Sequence, residues 1–102
     1  MIAYTRRLHS GIGVERAVSP GVAAGQIWVV RCADFVPETT SPTSVVMSNA
    51  SRLHLYRVQL NVAPAGQHAQ WTGSQVLMAG EQLEVSADFT ISFCVTGYVF
   101  NA

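Results

Sequence analysis

Residues 70–86 read QWTGSQVLMAGEQLEVS. The last part of this stretch decides the fold. Leu83, Val85 and Ala87 alternate with Gln82, Glu84 and Ser86, which is the two-residue period of a strand with one buried face. Ala79-Gly80-Glu81 is a tight turn, with Gly80 at its centre, joining this strand to an earlier one. That earlier run, residues 67–78, is strand-like but has Gly73 in its interior, the mark of a bulge or a close backbone approach. Trp71 lies two positions away and therefore shares its face. The expectation is a bend at Gly73, with Val76 and Met78 in the core beyond it. Trp71 then closes one end of the domain or packs on a neighbouring subunit. Glycine is expected at 73 because a bulge conformation excludes β-branched residues.

The same grammar extends outward. Residues 90–100 alternate, with Ile91, Phe93, Val95 and Val99 on one face and Cys94, Tyr98 and Phe100 on the other. Asp88 ends the strand before them, and Gly97 reads as a turn or bulge glycine. Upstream, residues 26–36 (QIWVVRCADFV) are apolar on both parities. That predicts burial on both faces, or one face in the core and one on a partner. Residues 2–9 read as a first strand, broken by Ser10-Gly11-Ile12-Gly13, with residues 14–18 extended after it. Residues 45–48 form a short strand. In residues 53–62 the apolar phase changes from Leu53/Leu55 to Tyr56/Val58/Leu60/Val62, as a bulge would produce. Residues 37–44 form a loop, and further turns fall at Ser19-Pro20-Gly21, Ala24-Gly25, Asn49-Ala50-Ser51 and residues 63–66. No segment holds a helical period for more than two turns. Seven to eight short strands predict one all-β domain over residues 1–102, an antiparallel β-sandwich or jelly roll.

Composition then narrows function. Only 12% of the 102 residues are charged, about half the usual share for a globular domain. A chain of 11.0 kDa exposes roughly 5,600 Å² when folded, so twelve formal charges cover it thinly. Surfaces poor in charge are expected in subunits of assemblies. Six basic and six acidic residues give no net charge, against the basic stripe that nucleic acid requires. All six basic residues are arginine, the cation better suited to protein interfaces. There is no apolar run of membrane length and no signal-peptide pattern at the start. The expected setting is therefore the cytoplasm in which the chain is made. Cys32 and Cys94 then read as buried thiols, with an inter-strand disulfide as the alternative.

No constellation in the sequence supports catalysis or metal binding. His9, His54 and His68 stand at no ligand spacing, and neither cysteine has a CxxC partner. There is no G-x-S-x-G. Ser10 follows His9, but neighbours on a strand face opposite ways. Glu81 and Glu84 fall at or just past a turn and read as solvated. Gly11-Ile12-Gly13 is too short for a dinucleotide loop. No enzyme activity and no cofactor are expected.

One pattern is more specific. W-x-G-x-x-V-L-x-x-G-E-x-L-x-V occurs as Trp71, Gly73, Val76, Leu77, Gly80, Glu81, Leu83 and Val85, and a closing G-Y as Gly97-Tyr98. Ala24-Gly25 and Trp28-Val29-Val30-Arg31 precede it. Over roughly residues 20–100 the chain resembles small β-sandwich structural proteins of tailed bacteriophages, notably phages of actinobacteria. The resemblance implies a virion subunit, a minor tail protein or alternatively a capsid-decorating one. Its partners are then other virion proteins and further copies of itself, and its place is the virion. The pattern consists of turn and core positions, so it carries no functional residue with it. Contact residues are expected at Arg6, Arg7, Trp28, Arg31, Pro37, Glu38, Thr39 and Trp71. A carbohydrate-binding module is a second class, with Trp28, Tyr56, Trp71 and Tyr98 as the stacking face for a host glycan. A small inhibitor or immunity factor has only chain length in its favour.

Overall fold

The computed structural model describes residues 2–38, 43–49, 57–62 and 69–101, with side chains for 5–38, 43–49 and 69–101. Its strands are β1 (Ile2–Val18), β2 (Gln26–Pro37), β3 (Thr43–Asn49), β4 (Arg57–Val62), β5 (Ala69–Leu77) and β6 (Leu83–Asn101). They form one antiparallel sheet in the order β4-β3-β6-β2-β5, with β1 also pairing β6. The all-β, antiparallel class is as expected, but the described residues hold six strands, not seven or eight. Two expected breaks do not end their strands. Residues 2–9 and 14–18 fuse into β1, and residues 82–87 and 90–100 fuse into β6. Against β6, β1 shifts register between Arg7 and His9, Gly11 and Val14, and Val14 and Arg16. Gly13 takes φ 62°. Each shift absorbs extra residues without ending the strand.

β6 is the spine. Leu83 to Ala87 pair with β3, and Ile91 to Asn101 pair with β2. β1 follows both parts along the opposite edge. Between them Asp88 and Phe89 are exposed. Asp88 marks a corner, where the sequence implied an end. Nineteen residues of straight strand would span roughly 60 Å, whereas the molecule measures 44 × 25 × 20 Å. The sheet therefore doubles over, and Cα atoms of β4 come within 8 Å of those of β2 and β5. Both halves feed one buried cluster: Val45, Met47, Leu83 and Val85 from one, Val30, Phe35, Leu77, Ile91, Val95 and Val99 from the other.

The two-parity run in β2 has a local cause. Trp28 and Val30 face inward, then Ala33, Phe35 and Pro37 do. The phase flips at a register shift between Val30 and Cys32: against β6 Arg31 is the extra residue, and against β5 it stands alone opposite Gly73 and Ser74. β2 is thus buried on one face, and its apparent double parity is a bulge. Gly97 lies opposite Val30. A Cβ there would strike the Val29 carbonyl oxygen and come within 3.1 Å of Leu8 Cδ1. Close backbone approach, and no turn, requires glycine at 97.

The bulge expected at Gly73 is present as two β5 residues, Gly73 and Ser74, against Arg31 alone, but the burial phase of β5 does not change across it. Residues 69, 71, 73, 75 and 77 face inward without interruption, so Leu77 is the core residue. Val76 is 52% exposed and Met78 45%, against the expectation that both are buried. The φ at Gly73 is not in the left-handed region. Glycine is needed because the Trp71 indole lies over it, with Cζ2 2.6 Å from where a Cβ would stand. At the β5–β6 turn Gly80 has φ 85°, which favours glycine.

Glu81, expected in solvent, is 6% exposed. Its Oε1 accepts the Met78 N–H at 2.6 Å. The segment after β1 zips onto this turn. Gly80 N–H donates to Val22 O, Val22 N–H to Glu81 O, and Ser19 N–H to Leu83 O. Ser19 Oγ in return accepts the Leu83 N–H at 2.9 Å. The phase change expected in residues 53–62 lies outside the described side chains.

Candidate assembly surface

Strand alternation leaves the outer face of β1, β6, β2 and β5 uncovered among the described residues. At one end of it, Val29 stands between Tyr98 on β6 and Val76 on β5. Ile27 stands beside Phe100, and the Tyr98 and Phe100 rings lie 6.4 Å apart at 58°. Val76 is 52% and Tyr98 42% exposed. These five side chains form an apolar patch across three adjacent strands with no ionised group among them. Large exposed apolar patches on soluble domains mark interaction sites.

A polar band follows toward the corner. Gln70 Nε2 donates to Asp34 Oδ1 at 3.1 Å and lies 3.4 Å from Cys32 Sγ. Cys32 pairs with Thr96, and Cys94 with Asp34, so the two half-buried cysteines are diagonal neighbours on the outer face. Diagonal positions lie roughly 7–8 Å apart, beyond the usual disulfide span, and both thiols are free. The expectation of two core thiols is corrected: alternation puts them outside. Beyond the band a groove of about 240 Å³ runs between Ile12 and Val36, floored by Ser92, Phe93 and Cys94. Ile12 is 88% exposed. Ser92 Oγ donates to Glu38 and accepts the Gly13 N–H.

The expected contact residues separate. Arg6, Arg7, Arg31 and Glu38 are exposed. Trp28, 5% exposed, and the buried Pro37 belong to the core, because the β2 phase turns both inward. Trp71 is half-buried on the inner face. Thr39 lies outside the described residues. The residues that sequence reading passed over are Ile12, Ile27, Val29 and Val76. Outward parity would have found Ile27 and Val29 once the bulge at Arg31 was placed. The aromatic platform does not form as expected. Trp28 and Trp71 face in, Tyr98 faces out, and Tyr56 lies outside the described residues.

The surface chemistry is otherwise plain. His9 is half-buried and faces inward. Its Nε2 lies 3.2 Å from Ala17 O, and its ring meets Phe93 edge-on at 4.9 Å. Burial pushes its pKa below the ordinary value, and the Ala17 hydrogen bond opposes this in part. Ser10 faces outward, so it cannot pair with His9. Arg16 reaches Glu84 at 3.1 Å and 3.3 Å, which raises the Arg16 pKa. Glu84 is thus ion-paired. Among the described residues no three His, Cys, Asp or Glu side chains gather as metal ligands, and no helix is long and apolar enough to cross a membrane.

No family model matches this chain, and no curated protein does. Among solved structures the chain is similar to the NLP core of Drosophila, described in terms of pentamer formation and histone binding. Identity is 13%, with 98% of this chain and 97% of that one covered, at a TM-score of 0.48. A likeness of that size carries no argument about partners or assembly.

Proposed function

We propose that this chain is a non-enzymatic structural subunit of a tailed-bacteriophage virion, working by contact with copies of itself and with neighbouring virion proteins. The observation that carries the reading is the charge-free outer patch of Ile27, Val29, Val76, Tyr98 and Phe100. Such a patch is costly on a free monomer and ordinary in an interface core. The virion setting rests on the sequence resemblance, and the tail is the preferred location. Immunogold labelling of particles from a host carrying the gene tests it. Label on the tail supports the reading as stated. Label on the head replaces the tail with capsid decoration, and unlabelled particles overturn the virion assignment. Light scattering from low to high micromolar concentration tests association itself.

A further inference from the structure

We infer that two copies of this chain join edge to edge through β1, antiparallel about a two-fold axis at Gly11, extending the sheet from one subunit into the next. This rests on the assembly reading and specifies its contact. β1 pairs with β6 along one edge, and among the described residues no strand pairs with its other edge. An edge of 17 residues presents a long row of backbone donors and acceptors, the feature through which sheets recruit a further strand.

The sequence of β1 selects the partner and the register. Directly opposed residues in an antiparallel pair share a face. Centring the axis on Gly11 opposes Ser10 with Ile12, both outward, and Leu8 with Val14, both inward. It also sets Arg7 opposite Glu15 of the other copy, and symmetry repeats that contact. Arg7 and Glu15 are both exposed, and among the described residues neither makes an ion pair, whereas Arg16 is committed to Glu84. Moving the axis by one residue in either direction opposes inward with outward side chains and removes the Arg7–Glu15 match. The same register makes the two Ile12 side chains diagonal neighbours. That covers the most exposed large apolar side chain among the described residues and runs the Ile12–Val36 groove of each copy into the other. A two-fold contact needs one self-complementary patch, and β1 supplies both signs of charge and the apolar centre.

The competing physics is that the three register shifts of β1 blunt its edge, as bulges do in monomeric sheets. Charge reversal decides. Sedimentation equilibrium on the full chain should show a dimer of about twice 11.0 kDa. Glu15→Arg faces Arg7 with a like charge twice per dimer and should weaken association about tenfold or more. Arg7→Glu should do the same. Combining Arg7→Glu with Glu15→Arg restores the opposition and should return the dimer to near wild-type affinity. Circular dichroism and melting confirm that each variant folds. A monomeric wild type overturns the inference, as does an oligomer indifferent to both reversals. The indifferent oligomer leaves the assembly reading standing, so the two failures are told apart.

Discussion

Gly73→Ala tests how β5 meets the core, and the structure fixes its sign in two backgrounds. A Cβ at 73 would lie 2.6 Å from Trp71 Cζ2 and 3.1 Å from Cη2. The indole is rigid and packs against the buried cluster, so it must swing off the sheet or the strand must shift. Overpacking of this kind costs about 1–3 kcal/mol. For a domain of this size each kcal/mol is worth roughly 4–8 °C of melting temperature. In a Trp71→Leu background the obstacle is gone. Glycine inside a strand then costs about 0.5–1 kcal/mol relative to alanine, so the same substitution should stabilise. The assay is a double-mutant cycle by thermal and urea unfolding, with tryptophan emission reporting displacement of Trp71. Equal destabilisation in both backgrounds would refute the account, because it would place the need for glycine in the backbone and not under the indole.

Four further outcomes follow from named contacts. Gly97→Ala meets the Val29 carbonyl, which a strand in the middle of the sheet cannot move, so urea unfolding should show a loss of about 3 kcal/mol or more. Ser19→Ala strands the Leu83 N–H and should cost about 1–3 kcal/mol, as buried donors do, with the melting temperature as readout. His9 has a folded pKa below its unfolded 6.5, so the unfolded chain binds the proton more readily. Its contribution is complete above 6.5 and is lost as pH falls from there toward the folded value; His9→Gln should flatten that part of a stability–pH profile. Arg16→Ala breaks only a solvent-exposed pair and should leave melting unchanged, in line with the small worth of such pairs.

The strands of this protein were legible where alternation was clean. Leu83 and Val85 face inward as read, and Ile91, Phe93, Val95 and Val99 share one face as read, which is the inner one. What could not be read was whether a punctuating residue ends a strand or bends it. Gly13 at φ 62° and the exposed Asp88 look like turn signals in sequence. In the fold, neighbouring strands pair on both sides of them, and long-range pairing overrides local preference. The bulge at Arg31 was hidden for a similar reason. It is defined by register against β5 and β6, which no local window contains. That one displaced residue explains the errors over Trp28 and Pro37 as contact residues and the omission of Ile27 and Val29. Glu81 was misread because its carboxylate serves the turn behind it, a use that looks like surface charge until the chain folds back.

The charge deficit has an address. Arg6, Arg7, Glu15 and Arg16 all sit on β1, while the outward positions 27, 29, 76, 98 and 100 carry none. The fold does not dictate that choice. An outward position on a strand asks for β-propensity, and threonine satisfies it as well as valine does. If stability alone had set these residues, polar β-formers would serve equally. Replacing Val29, Val76 and Tyr98 together by threonine should therefore leave the unfolding free energy nearly unchanged, since surface changes away from caps and cores usually stay within about 0.5 kcal/mol each. The same variant should lose any association that buries this patch, read as a lower mass by light scattering at high micromolar concentration. If it melts many degrees lower, the patch belongs to the folding of one chain. If it melts as before and assembles as before, these apolar residues face water in the assembly too, and the surface that holds subunits together lies elsewhere.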